Sequence, residues 1–404
     1  MSTPEQDTQP SSRGVGGMIR ALGRRLAQGE AGPLLVIMMV AVIWIFFQFQ
    51  NDRFLSPGNL TNLMLQQSAV ATISIGVVLV LLLGEIDLSV GALSGLAASA
   101  MAVLSVKHGV SPVLAVLAAL AIGAAVGLFN GFMVTRFRIP SFVVTLAGSL
   151  TLVGLQLLVL GDTGTVNLPD SFITSLTGTF FPPLVGWIVA VVAGVLTLAI
   201  SLIGRSRRRK AGLRTGSMQG LIFTVVAVGA AFVALVAVVN RDRGLPLVVC
   251  LVLGLALLFS YITERTRFGR HIFAVGGNAE AARRAGIKID RVRILVFVLG
   301  STLAAAGGVL AASRLLAVNQ SSGSSDLLLM AIAGPVIAGT SLFGGRGTVW
   351  SALLGALVIG SIANGMDLLA FSSSVKFIVT GAVLMTAVTI EAVTRMRRQG
   401  DGKR

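Results

Sequence analysis

The chain is a succession of apolar runs of about 20 residues, separated by short polar segments that contain Gly, Pro and charged residues. A helix of about 20 apolar residues spans the ~30 Å hydrocarbon core of a bilayer. The pattern therefore predicts an all-α fold, a polytopic transmembrane helical bundle of about twelve spans. The spans are expected near 33–50, 60–84, 88–106, 112–135, 140–160, 184–203, 218–239, 245–263, 291–312, 326–343, 348–366 and 374–393.

These spans form one transmembrane domain, expected at 33–394. A polar N-terminal tail at 1–32 and a basic C-terminal tail at 395–404 flank it. The first apolar run is long for a signal peptide and is followed by polar residues rather than by a small-x-small cleavage site. We therefore expect an uncleaved first span.

Composition narrows the class further. Of the 404 residues, 54% are apolar and only 12% are charged, against about a quarter in an ordinary soluble domain. In water, so much apolar surface would leave large exposed patches. A soluble enzyme, a disordered chain and a disulfide scaffold are excluded, the last because Cys250 is the only cysteine.

Membrane topology explains the net charge of +16 better than nucleic-acid binding does. With twelve spans, 26 of the 32 Lys and Arg residues fall on one side, in the two tails and near 136–138, 205–214, 265–293 and 346. Because basic loops stay in the cytoplasm, both termini are expected there. We expect the lipid bilayer, and no nucleic acid, as a partner.

The sequence contains no arrangement of residues typical of catalysis. His108 and His271 fall at opposite predicted membrane faces, and no metal-ligand cluster or Cys/His pair is present. No lysine stands in the phosphate-binding pattern G-x-x-x-x-G-K-[ST]. We therefore predict no catalytic, cofactor-binding or metal-binding residue, and a separate subunit must hydrolyse any ATP that drives the protein.

Glu85 and Asp87 interrupt apolar sequence between Gly84 and Gly91, at the junction of two predicted spans. A carboxylate within a membrane is costly and usually functional, which favours a gate or helix break. Alternatively, the segment is a short cytoplasmic turn with solvated acids, in which Asp87 caps the next helix. Both interpretations remain open.

Several amide side chains lie inside predicted spans: Gln66, Gln67, Asn130, Gln156 and Asn364. They are candidates for lining a path taken by a hydroxylated solute. For each of them taken alone, hydrogen bonding between helices is the favoured role.

A weak internal repeat accompanies two of these residues. Asn130-Gly131 is followed 15 residues later by Thr145, and Asn364-Gly365 is followed 16 residues later by Thr380. The two spans that end in Asn-Gly run in opposite directions in the predicted topology. The repeat predicts pseudo-symmetric, inverted halves with a transport site between them. The alternative is that Asn-Gly simply forms two turns at the membrane edge.

The longest cytoplasmic connection inside the bundle, about 264–290, contains a predicted short helix at 278–286. Its sequence has the capping residues and charge order of a helix that lies outside the membrane. The residues concerned are Asn278 as N-cap, Glu280 in the first turn, Ala282 in the middle, Arg283 and Arg284 in the last turn, and Gly286 as C-cap.

Taken together, these motifs resemble the permease subunits of bacterial ATP-binding-cassette monosaccharide importers of the ribose/xylose type. The resemblance covers about residues 60–390, in the family's order. Family members typically have about ten spans, so the pair near 184–239 is an insertion that favours the longer, xylose-transporting members. The matching segments are 85–91, Asn130-Gly131 with 139–142, 269–287, 344–348 and Asn364-Gly365.

The resemblance implies a homodimeric, non-catalytic subunit in the bacterial inner membrane. Two ATPase subunits, or one fused double ATPase, would bind on the cytoplasmic side and carry the ATP and Mg. A periplasmic sugar-binding protein would deliver the cargo on the other side. In such importers a short cytoplasmic helix of the permease occupies a cleft of the ATPase, and residues 278–286 match it.

Other functions are weighed against this one. An importer for another small solute, such as ribose, another sugar, a nucleoside or a furanone signal, would have a similar sequence. An ion-coupled secondary transporter would need acids or bases inside its spans, and only the Glu85/Asp87 region and Glu391 come close. A membrane scaffold without transport leaves the paired Asn-Gly segments unexplained.

Overall fold

A computed structural model describes residues 32–210, 212 and 218–401, and it confirms a helical membrane bundle. Of the tails predicted at 1–32 and 395–404, residues 1–31 and 402–404 lie outside the described residues. The α-helices of the described residues are α1 (Gly32–Gln50), α2 (Pro57–Leu82), α3 (Val90–Ala102), α4 (Pro112–Arg136), α5 (Ser141–Leu160), α6 (Phe172–Gly178), α7 (Pro183–Lys210), α8 (Met218–Val239), α9 (Leu247–Arg265), α10 (Arg267–Gly277), α11 (Ala279–Arg284), α12 (Ile289–Leu315), α13 (Ser325–Ile337), α14 (Trp350–Leu368) and α15 (Ser373–Asp401).

Each of the twelve predicted spans contains one of these helices. Among the described residues, nine helices are long and apolar enough to cross a membrane. Three more, α1, α13 and α15, contain shorter apolar stretches. A helix is therefore confirmed within every predicted apolar segment, while the number that crosses the bilayer stays a prediction.

Two of the helices at predicted spans are short for a membrane crossing. The α-helical parts of α3 and α13 have 13 residues each, about 20 Å at 1.5 Å per residue, against ~30 Å of hydrocarbon. A π-helical turn at Val103–Lys107 extends α3. The continuous span predicted at 326–343 is wrong in its second part, because α13 contains Pro335 and ends at Ile337, just before Gly339 at φ +95°.

The long helices α2 and α12 form the centre of the bundle and pack on each other along small residues. A Cβ atom on Gly76 of α2 would lie 2.6 Å from the carbonyl oxygen of Gly300 in α12. Such small residues let helix backbones approach closely, which is a main source of packing energy in membranes. Most of α2 is consequently buried inside the protein.

The packing of the other helices repeats across this central pair. Helix α12 packs against α3 and α4, and α2 packs in the same way against α13 and α14. Helix α3 contacts α5, as α13 contacts α15. Because α2 and α12 run in opposite directions through the bundle, α2–α5 and α12–α15 form the two inverted, pseudo-symmetric halves that the Asn-Gly repeat predicts.

One end of the bundle, here called the cap face, carries four short strands that the sequence analysis did not predict. Strand β1 (Thr165–Asn167) pairs with β4 (Ala317–Asn319), and β2 (Phe180–Phe181) pairs with β3 (Leu245–Pro246). The connection 161–183 also contains α6, which packs on α12. The opposite end, which carries α10 and α11, is called the basic face.

The inserted pair, α7 and α8, is a peripheral hairpin. The two helices pack mainly on each other, and only about a tenth of their membrane-spanning stretches is buried inside the protein. Their ends meet at the cap face, where Asn240 Nδ2 donates a hydrogen bond of 3.2 Å to the carbonyl oxygen of Pro183. The pairing of β2 with β3 holds the flanking chain just beyond this point.

Excision of 184–239, with a short Gly/Ser linker between Pro183 and Asn240, should leave a folded protein. The core loses little packing and the new ends already lie side by side. Size-exclusion chromatography in detergent should show the wild-type oligomeric state. Excision of α6, which packs onto α12, is the control and should abolish the folded peak. If the 184–239 deletion loses its oligomer, the hairpin belongs to the interface or the core.

Candidate functional site

The chain is non-helical between α2 and α3, and this break surrounds Asp87. The Asp87 side chain is only 4% exposed. Its Oδ1 accepts hydrogen bonds from the Ser89 backbone N–H at 2.8 Å and from Ser89 Oγ at 2.6 Å. Asn130 Nδ2 of α4 donates to the same Ser89 Oγ at 3.2 Å. Asp87, Ser89 and Asn130 therefore form one buried polar chain that joins the break to α4.

Two hydroxyl groups of α5 accept hydrogen bonds from backbone N–H groups of the break. Ser141 Oγ accepts from the Ile86 N–H at 3.2 Å, and Thr145 Oγ1 accepts from the Leu88 N–H at 3.0 Å. Unpaired backbone groups are costly inside a membrane protein, so these bonds are what allow the helix to stop here. Thr145, which the repeat pairs with Asn130, thus lies beside the same break as Asn130.

Neither acid of the break is free in solvent. Glu85 Oε1 lies 3.0 Å from Nε of Arg293 on α12, and only 13% of the Glu85 side chain is exposed. The alternative of a turn with solvated acids is therefore wrong. Asp87 does not cap α3 either, because Ser89 is the N-cap and Asp87 Oδ1 accepts from the N–H of Ser89, outside the first helical turn.

In the second half, Asn364 makes a different contact. It exchanges two hydrogen bonds with Asn59 of α2, at 2.8 and 3.0 Å. Gln67 packs on Gly360 of α14, where any Cβ would overlap its side chain. The Gln67 Oε1 atom is buried and has no partner among the described residues.

Gln66 lines a cavity of about 220 Å³ near the cap-face ends of α2, α3 and α12. Its lining combines amide, hydroxyl and guanidinium groups with small residues, which suits a hydroxylated solute. Gln156 of α5 holds one wall in place by donating to the carbonyls of Asn319 and Ser322, at 3.1 and 2.9 Å. The polar lining residues are Gln66, Ser94, Arg314, Ser321, Ser322 and Ser324.

Three chain segments meet at the basic face in what we call the glycine junction: Leu82–Gly84, Gly276-Gly277 and Gly344-Gly345. The Gly345 N–H donates to the Leu82 carbonyl at 2.9 Å. A Cβ on Gly276 would overlap the Leu82 carbonyl oxygen, and one on Gly344 would lie 2.7 Å from Gly84 N. Only glycine permits this approach. The junction thus joins three motifs that are far apart in sequence.

Helix α11 starts directly beyond the junction, but it is shorter than predicted. It covers Ala279–Arg284, six residues rather than the nine of 278–286. Asn278 is the N-cap, with Oδ1 accepting from the Ala281 N–H at 2.9 Å, and Gly286 has the left-handed φ of +80°. Ala285 rather than Gly286 is the C-cap.

The two faces of α11 differ in exposure. Glu280 pairs with Arg283 at 3.3 Å and with Arg284 at 3.4 Å, and all three side chains are exposed. Ala282 is 4% exposed and packs into the core of its own chain. It anchors the helix, which leaves Ala281 and the charged residues as the outward face.

The sequence analysis missed helix α10, which places α11. Thr266 caps α10 by accepting from the Gly269 N–H at 3.2 Å. Ile272 and Val275 are buried in the core beneath it. The spacing of Phe268, Ile272 and Val275, at i, i+4 and i+7, is the amphipathic signal that identifies this helix.

Inverted halves, broken helices and an anchored basic loop define a polytopic membrane transport protein. The family model described as "Branched-chain amino acid transport system / permease component" matches residues 59–388. The chain therefore belongs to this family of permease components.

Curated relatives match almost the whole chain. The xylose transport system permease protein XylH of Haemophilus influenzae is 33% identical, over 90% of this chain and 96% of its own length. XylH of Escherichia coli K12 is 33% identical, over 90% and 92%. The ribose import permease protein RbsC of Bacillus subtilis is 29% identical, over 97% and 98%. No solved structure matches the chain.

Gly276→Ala should disrupt the glycine junction, because its Cβ meets the Leu82 carbonyl. We expect a loss of about 1–3 kcal/mol of stability, as for other overpacked sites, measured as a lower melting temperature in detergent. Gly277→Ala is the matched control, since nothing lies within 4 Å of its Cβ. Equal melting temperatures for the two variants would contradict the close backbone packing of Gly276 at the glycine junction.

Asp87→Asn should slow transport and leave membrane insertion intact. Asn keeps the shape and one acceptor but replaces a charge-assisted bond to Ser89 with a neutral one, at a cost of about 1 kcal/mol. Uptake rate and membrane content are the measurements. Asp162→Asn, an exposed acid on the cap face, is the control. Uptake at the wild-type rate by Asp87→Asn would refute a role in gating.

Proposed function

We propose that this chain is the permease subunit of an ATP-driven monosaccharide importer, with D-xylose as its cargo. The observation that carries the proposal is the 33% identity to xylose permeases over 90% of the chain. Ribose is the second candidate, because a ribose permease is 29% identical over 97% of the chain. Another sugar, a nucleoside or a furanone is not the cargo named for these relatives.

Ion coupling is less well supported than ATP coupling. A proton- or sodium-coupled carrier needs an acid that is free to load and release the ion. Glu85 is paired with Arg293, and Asp87 Oδ1 is hydrogen-bonded to Ser89. Glu85 and Asp87 Oδ1 therefore have structural partners, whereas Asp87 Oδ2 is buried without a partner among the described residues.

We propose that the basic face lies in the cytoplasm and the cap face in the periplasm. Arg136 and Arg138 at the end of α4 and the eight basic residues between Arg265 and Arg293 support this orientation. Both termini then lie in the cytoplasm of a bacterium, with the chain in the inner membrane. A periplasmic sugar-binding protein would dock on the cap face, above the cavity lined by Gln66.

Two ATPase subunits, or one fused double ATPase, would bind at the basic face of a homodimer. They carry the ATP and Mg, and this chain binds no cofactor of its own. The exposed face of α11 is the proposed contact, because it presents charged groups on a helix too short to be stable alone. Acids in an ATPase cleft would pair with Arg283 and Arg284.

The proposed mechanism passes through the glycine junction. A push on α11 moves Gly276-Gly277, whose backbone touches Leu82 and Gly345. Because Leu82 ends α2, the displacement reaches the break and the buried chain of Asp87, Ser89 and Asn130. The break would then reorient α3, one wall of the cap-face cavity, and release the sugar inward.

The energy source is tested in vesicles that contain the permease, its ATPase and its binding protein. Uptake of radiolabelled D-xylose should require ATP and should persist in the presence of an uncoupler. Excess unlabelled ribose should compete weakly. Loss of uptake when the uncoupler is added at full ATP would indicate ion coupling instead of ATP coupling. Strong competition by ribose would indicate that ribose, not D-xylose, is the cargo.

The coupling contact is tested with cysteines on α11, in a background where Cys250 is replaced. Cysteine at Ala281 or Ala285, which are exposed, should crosslink to cysteines around the ATPase cleft in a nucleotide-dependent way. Cysteine at the buried Ala282 is the matched control and should not. If neither exposed position crosslinks, and a Gly/Ser replacement of 278–286 leaves ATP hydrolysis stimulated by sugar, the coupling role is wrong.

A further inference from the structure

The basic face contains a cavity of about 640 Å³ that neither the break nor α11 accounts for. We call it the arginine cavity. It lies between the end of α4, the start of α5, α11 and the first turns of α12, and its size is typical of ligand sites. Its charged lining residues are Glu85, Arg136, Arg138, Arg283, Asp290 and Arg293.

Positive charge is in excess in this cavity, with four arginines against two acids. Glu85 neutralises Arg293, and Glu280 neutralises Arg283 outside the cavity. Within the described part of the chain, no ion pair involves Arg136 or Arg138. Asp290 is the one acid of the lining that no ion pair of the described residues involves, so the cavity keeps a net positive charge at Arg136 and Arg138. Guanidinium groups in excess around a concave space are an arrangement that recognises phosphate.

The cavity opens beside exposed apolar side chains. Phe129, Phe132 and Arg136 lie at i, i+3 and i+7, so they share one face of α4. Phe129 and Phe132 are about half exposed, and Phe132 forms an edge-to-face pair with the exposed Phe137. A phosphate bound at Arg136 would thus lie at the basic-face end of this apolar surface of α4, on which acyl chains can pack.

The backbone at Arg138 is also unusual. Its φ of +55° is left-handed, a conformation uncommon outside glycine. It lies between Phe137 and Ile139, and it places a charged side chain on the cavity wall in a turn where a glycine would be less strained. Such outliers are often found at binding sites.

We propose that the arginine cavity binds the phosphate headgroup of an anionic membrane phospholipid. Basic pockets between transmembrane helices at the cytoplasmic surface are suited to such headgroups. The exposed phenylalanines favour a lipid over a soluble phosphate, because they provide a surface for its acyl chains. Since Glu85 and Arg293 line the same space, the bound phosphate contacts the ion pair that joins the break to α12.

The test is native mass spectrometry of the full-length permease in detergent, titrated with phosphatidylglycerol or phosphatidylcholine. The wild type should prefer phosphatidylglycerol. Arg136→Gln combined with Arg138→Gln should weaken phosphatidylglycerol binding by about tenfold or more, since each basic residue near an anionic surface contributes appreciably. Arg136→Lys with Arg138→Lys keeps the charge and should retain most of the affinity.

The matched control is Arg265→Gln with Arg267→Gln, which removes the same charge from the same face outside the cavity, and it should bind as the wild type does. Equal loss in this control, or no preference for phosphatidylglycerol in the wild type, overturns the proposal. Displacement of the lipid by equimolar glycerol 3-phosphate would assign the cavity to a soluble phosphate instead. Loss of ATPase assembly in the Arg136/Arg138 variant, with lipid binding unchanged, would assign it to an acidic protein partner.

Discussion

A helix that stops inside a membrane protein leaves backbone polar groups that lipid cannot satisfy, and the rest of this structure depends on how they are paired. At the end of α2, the Leu82 carbonyl is paired by Gly345, and the N–H groups of Ile86 and Leu88 by Ser141 and Thr145. All these partners come from other segments. The break is therefore a product of tertiary packing, and a displacement of any one of those segments acts on it directly.

The apolar spans could be predicted from the sequence because their signal is local. A run of about 20 apolar residues identifies a membrane helix without reference to its neighbours. The cap of α11 was equally local, since Asn278 and the Glu280–Arg284 charges act within one helical turn or two. The Asn-Gly repeat predicted inverted halves because the same short motif occurs twice in the sequence. It did not predict which residue each Asn would bind.

Features that depend on distant partners could not be predicted. The pairing of β1 with β4 joins residues about 150 positions apart, and nothing in Thr165–Asn167 alone specifies it. The end of α13 was placed too late because apolar residues continue past Ile337, where Pro335 and Gly339 stop the helix. The burial of Ala282 could not be predicted from α11 alone, because Ala282 lies in a core cluster that includes Ile272 and Val275 of α10.

The two halves share a fold but use the repeated Asn differently. Asn130 supports the charged break near the basic face, whereas Asn364 ties α14 to Asn59 near the cap face. In the proposed mechanism, a displacement of α11 would therefore act on the charged break of the first half. Each hydrogen bond at the break contributes about 1 kcal/mol net, so rearranging several of them costs a few kcal/mol. A free-energy difference of this size is typical of two conformations of one protein. A partner that binds one conformation more tightly can therefore shift the population towards it.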